Sequence, residues 1–103
     1  MELKVIPWAG QTPPTEAELR DALVKQELKV YQWSNRPEEV YAGHTHGYHK
    51  IVCVVEGSIK FDCPTHHKVF NLMPGDRLEL PAGVRHSAVV GPQGVTCLEA
   101  HVY

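Results

Sequence analysis

The sequence has no run of Lys or Arg, no long apolar stretch and no closely spaced cysteine pair, and each absence removes a class of function. Ten basic against twelve acidic residues leave a formal charge of −2. No basic stripe is left to neutralise a row of phosphates, so nucleic acid is not an expected partner. The longest uninterrupted apolar run, Ile51 to Val55, falls far short of the roughly 20 residues that a membrane-spanning helix requires, and no membrane partner is expected. Met1-Glu-Leu-Lys4 has neither the basic start nor the apolar stretch of a secretory signal, which makes a cytoplasmic location the default. The cysteines, Cys53, Cys63 and Cys97, are odd in number and lack Cys-x-x-Cys spacing. Buried, inert thiols are therefore expected in place of a disulfide framework or a thiolate zinc knot.

What is present fits one domain spanning residues 1–103. At this length and 43% hydrophobic composition, about two thirds of the unfolded surface can be buried around one core. Pro13-Pro14 forbids a helix before it, and Thr15 followed by Glu18 forms a capping box, which predicts a helix from Glu16 to Leu28. Leu19, Leu23, Val24 and Leu28 fall on its apolar stripe. From Lys29 onward the period shortens to two, with turn residues about every ten positions, the rhythm of an antiparallel barrel or sandwich. Strands are predicted near 29–33, 39–42, 50–56, 58–63, 68–72, 77–80, 87–90 and 95–102. Hairpins are expected at Glu56-Gly57-Ser58 and Gly91-Pro-Gln-Gly94, and a turn at Met73-Pro74-Gly75-Asp76.

The strongest chemical signal is histidine placement. His44 and His46 stand one residue apart in Gly43-His-Thr-His-Gly47, and His86 follows Pro81-Ala-Gly83-Val-Arg85. Brought together by the strands, three neutral imidazoles form the facial half of a divalent-metal site. Counting by twos from His44 and His46 puts Lys50, Val52 and Val54 on the interior face, and His49, Ile51, Cys53 and Val55 on the other. Both faces are apolar, so the outer one needs a cover: a helix, a loop or a second subunit. An ionised Lys50 inside needs a counter-charge. Glu99, a lone carboxylate in the apolar strand Val95 to Tyr103, is the candidate. His66, His67 and His101 read as structural, Trp33 and Tyr31 as core or interface, and Arg77 and Arg85 as solvated outer positions.

With those residues in place, Gly43 to Gly57 and Gly75 to Val90 resemble the two motifs of the cupin superfamily, small β-barrels of the jelly-roll type. The first motif, His-x-His, three or four residues, Glu, six residues, Gly, is matched by His44, His46 and Gly57, with Lys50 at the glutamate position. The second, Gly, five residues, Pro-x-Gly, two residues, His, three residues, Asn, is matched by Gly75, Pro81, Gly83 and His86, with Val90 at the asparagine position. The resemblance implies an all-β double-stranded β-helix with one short N-terminal helix, often dimeric, hence a homodimer. It also implies a metal held by His44, His46 and His86, the divalent ion being Fe, Zn, Mn or Ni.

Lys50 leaves three alternatives open. The metal is held by three histidines alone, as in three-His iron cupins, with water or substrate filling the open positions. Alternatively a local bulge lets His49 supply a fourth ligand, or the metal is absent and Lys50 receives an anion. Lys50, His49, Tyr48 and Glu99 are the candidate pocket residues, with Lys50 and Glu99 the candidates for proton transfer or substrate orientation. Two functions follow: a metal-dependent enzyme of dioxygenase, isomerase or decarboxylase type acting on a small anionic or oxygenated molecule, or a non-catalytic cupin that binds a small ligand or metal as a sensor.

Overall fold

A computed structural model describes all residues, 1–103. It consists of a mostly antiparallel sheet and one short helix. The strands are β1 (Lys4–Ile6), β2 (Tyr31–Asn35), β3 (Val40–His44), β4 (His49–Cys63), β5 (Lys68–Leu72), β6 (Arg77–Leu80) and β7 (His86–Val102). They follow the order β1-β6-β4-β7-β2, with β3 also pairing with β7 and β5 with β4.

Two long strands organise this sheet, and here the structure corrects the sequence reading. The expected hairpins at Gly57 and at Gly91–Gly94 do not form. Strands predicted as separate are joined into the 15-residue β4 and the 17-residue β7, which pair with each other along both halves. The glycines permit a bend in place of a reversal. Gly57 has φ 77° and Gly94 has φ 80°, and a Cβ on Gly57 would lie 1.9 Å from the Gly94 carbonyl oxygen. The register shifts between Val54 and Glu56 and again between Gly57 and Ile59, where Ser58 alone faces Gly91 to Gly94. Such extra residues bend and twist a strand without ending it. The shift also switches parity: Val52 and Val54 on one side of the bend share a core cluster with Ile59, Phe61 and Cys63 on the other.

The second face of the sheet is covered by the helix α1 (Glu16–Val24). Leu19 and Leu23 pack there on Ile51, Cys53, Leu98 and Ala100, which answers the question of what buries the outer apolar face. Both halves of the capping box are present, Glu18 N–H donating to Thr15 Oγ1 at 3.2 Å and Thr15 N–H to Glu18 Oε1 at 3.1 Å. The helix ends four residues earlier than expected. Glu27 takes φ 62° and Leu28 N–H turns back to the Leu23 carbonyl, so Val24 leaves the apolar stripe and is exposed. Further differences are local. The first predicted barrel strand runs from Tyr31 to Asn35 and not from Lys29, and the three-residue β1 was not anticipated. Arg77 is not solvated but half-covered, its guanidinium 2.9 Å from Glu79. The turn at Met73 to Asp76 forms as read, with Gly75 at φ 90° and Asp76 accepting the Met73 N–H. Cys53, Cys63 and Cys97 are buried and unbridged, and burial raises all three thiol pKa values, that of Cys53 to about 11.

Candidate metal centre

Strand pairing explains how residues 44 and 86 meet. His44 and His86 are direct cross-strand partners of β3 and β7, and His46 follows two residues beyond, on the same side. The turn before His86 is tied to this segment: Gly83 N–H donates to the His46 carbonyl at 2.9 Å and Ala82 N–H to His49 Nδ1 at 3.0 Å. The three imidazoles thereby offer one nitrogen each within 4.8 Å of one another.

The donor set fits a transition metal. His44 Nδ1–H donates to the Ala42 carbonyl at 2.8 Å and His86 Nδ1–H to the Val84 carbonyl at 3.0 Å. That fixes the tautomer and presents each Nε2 lone pair toward the cluster. His44 and His46 Nε2 lie 3.0 Å apart, a separation that suits two imidazoles sharing one ion at bond lengths of about 2.0–2.1 Å. Charge favours the neutral ligand form. Desolvation, then the Lys50 ammonium and the other two rings, lowers the His46 pKa to about 4. Burial likewise lowers that of His86, which is 2% exposed.

A cavity of about 290 Å³ opens beside the cluster. It is lined by the polar residues His44, His86, Lys50, Glu99, Ser34 and Asn35 and by Trp33, Tyr41, Ile59, Phe61 and Ala88. Lys50 Nζ stands 3.6 Å from Glu99 Oε1. Trp33 Nε1–H donates to the same oxygen at 3.0 Å, and His101 Nε2 lies 2.6 Å from Glu99 Oε2. Tyr48 and His49 do not line this cavity. Tyr48 packs between His46 and His101, with ring centroids at 5.0 and 4.0 Å, and burial raises its phenol pKa, so it stays protonated. His49 turns its Nδ1 to the Ala82 amide, away from the three-histidine group.

Trp33, expected as core or interface, does pack on the core cluster, and both it and His101, expected as structural, also hold Glu99. For His101 the signal was available: it shares strand parity with Glu99, so an inward Glu99 carries His101 inward too. Trp33 had no such marker. Its position depends on the β2–β7 register, which sets it opposite Cys97.

No protein-family model matches the chain, and no curated protein matches it. Solved structures do. An RmlC-like cupin from Shewanella frigidimarina aligns with TM-score 0.62 at 23% identity, over 72% of this chain and 64% of that one. The polyketide cyclase RemF from Streptomyces resistomycificus aligns with TM-score 0.64 at 24% identity, over 74% and 55%. A DUF861 family protein from Thermotoga maritima aligns with TM-score 0.60 at 16% identity, over 95% and 97%. The chain thus spans less than two thirds of the first two, and what it shares with all three is the cupin jelly-roll fold.

Proposed function

We propose that this chain is a small metal-binding protein of cupin fold, in which His44, His46 and His86 hold a divalent transition metal and the adjoining cavity receives a small anionic or oxygenated molecule for a metal-dependent reaction. The observation that carries this reading is the convergence of three imidazole nitrogens within 4.8 Å, two of them with Nδ1 committed to backbone carbonyls. A metal bound there supplies Lewis-acid or redox chemistry to a ligand in its open positions.

The chain's own residues define what surrounds that position. His86 is buried and its turn is clamped to the His46 and His49 segment, so the donors are pre-set before metal arrives. Lys50 provides a positive charge at the cavity wall, and Glu99 holds it there. Glu99 and His101, 2.6 Å apart, form a hydrogen-bonded acid–base pair within the site, able to store or pass a proton at Glu99 Oε2. One protein of this fold is a polyketide cyclase. At 24% identity that likeness does not select a reaction here, because one fold hosts many chemistries.

Elemental analysis of the purified protein tests the reading. Close to one transition-metal ion per chain is expected, lost in His44→Ala and in His86→Ala while the fold, followed by circular dichroism, persists. Failure of the folded wild-type protein to retain Fe, Zn, Mn or Ni after reconstitution and desalting overturns it.

A further inference from the structure

The residues around the cavity restrict the ligand further than its size does. Three neutral imidazoles bring no negative charge to a divalent ion, and the position that would supply a carboxylate in the cupin motif is occupied by Lys50. Glu99, the one carboxylate lining the cavity, is already engaged on both oxygens, by Trp33 and Lys50 on Oε1 and by His101 on Oε2. A loaded site therefore carries unbalanced positive charge. The Lys50 ammonium, its charge matched by Glu99, adds hydrogen-bond donors beside that ion. Its counter-charge lies at 3.6 Å, too far for a hydrogen bond, and its side chain is 13% exposed, which leaves three N–H donors for an incoming acceptor.

Aromatic side chains also line the cavity, together with Ser34 and Asn35. Trp33 is held by its N–H to Glu99, so its ring has a fixed orientation. Tyr41 meets it edge-on, with centroids 6.5 Å apart at 71°, and the Tyr41 hydroxyl is bonded to Asn35. Phe61 lies 6.2 Å from the His86 ring. A flat ring has aromatic faces and edges to pack on here; hydrogen bonds anchor Trp33 and Tyr41, and core packing holds Phe61. At about 290 Å³ the cavity sits at the lower end of the range of about 300–1,000 Å³ for ligand pockets, which restricts the occupant to roughly one ring.

We infer that the ligand of this cavity is a small aromatic carboxylate, its anionic group between Lys50 and the histidine cluster and its ring against Trp33, Tyr41 and Phe61. This assignment rests on the metal-centre reading above and names the substrate class of the same site.

Isothermal titration with benzoate, benzamide and acetate tests it, with metal content measured on the same samples. On zinc-loaded protein benzoate is expected to bind at least tenfold more tightly than benzamide, which lacks the charge, and than acetate, which lacks the ring. Lys50→Met should reduce the preference for benzoate over benzamide several-fold, the ion retaining part of it, whereas Lys50→Arg should keep it and so separate loss of charge from misfolding. Zinc bound at one ion per chain with benzoate no tighter than benzamide overturns the ligand class and leaves the metal centre standing. If zinc does not bind, the metal centre fails, and the same benzoate-to-benzamide ratio on the metal-free protein decides the ligand class separately. A ratio unchanged in Lys50→Met overturns the role given to Lys50.

Discussion

His49 braces the turn before His86 without facing the three-histidine cluster. Its Nδ1 accepts the Ala82 N–H at 3.0 Å, so its proton resides on Nε2, and the Pro81-to-Arg85 turn that delivers His86 is pinned by this bond and by the Gly83 amide on the His46 carbonyl. Removing a hydrogen bond made directly to a ligating histidine lowers metal affinity by about 10–100-fold, and a bond one step further out should cost toward the lower end of that range. His49→Ala should weaken metal binding by about that factor in a competition assay with a chromogenic chelator, and His49→Asn, whose Oδ1 can accept the same N–H, should restore most of it. Equal affinity in His49→Ala and wild type would show that the turn holds itself. At this scale the sequence was most legible where spacing encodes chemistry. Parity from His44 and His46 brings Lys50 to the same side, and His86 and Glu99, singled out by motif and by charge, lie there too, whereas His49 and Tyr48 do not line the cavity. What side of a wall a ring occupies depends on pairing partners that a linear pattern does not name, and Trp33 illustrates the cost.

At the scale of an element, α1 was readable because its signals are local: a side-chain cap, a reciprocal Glu18 and leucines four apart. The long strands were not, because Gly and Pro look alike in a reversal and in a bend. Only the partner strand distinguishes them, and the partner of Gly57 is Val95, some forty positions away. That difference is measurable. In a hairpin Gly57→Ala would cost at most the strain of a positive φ, about 1 kcal/mol or a little more. Here the added Cβ would also meet the Gly94 carbonyl at 1.9 Å, backbone against backbone. Chemical denaturation of Gly57→Ala should therefore show a loss above 2 kcal/mol, in the range of overpacked interiors. A loss below 1 kcal/mol would mean that the two strands separate easily at the bend.

For the whole molecule, the fold class was legible because alternation over some seventy residues averages out local errors, while the cover on the second face and the path of the sheet were supplied by tertiary contact. The histidine centre also couples to global stability. The His46 pKa is lowered to about 4 and that of His86 is lowered as well, against an ordinary value near 6.5. Below pH 6.5 the unfolded chain takes up these protons first, so acid favours unfolding. The penalty is absent above about pH 6.5, grows as the pH falls, and is complete for His46 below about 4. Thermal melts of chelator-treated protein should fall in Tm over this window, and His46→Gln should flatten the decline. An identical slope in that variant would remove His46 as a source of the acid sensitivity.

The mismatch at the bend, one residue of β4 against four of β7, has a consequence for how this architecture tolerates change. Loss or gain of a residue at Pro92 or Gln93, which have no paired register to keep, should be absorbed more readily than one at Gly91 or Gly94, which lie against Ser58 and Gly57. Elsewhere in β7 the same indel would turn His86 or Glu99 through the wall. The two ends of one strand, one bearing His86 and the other Glu99, are thereby joined through a segment whose length is less constrained than their own.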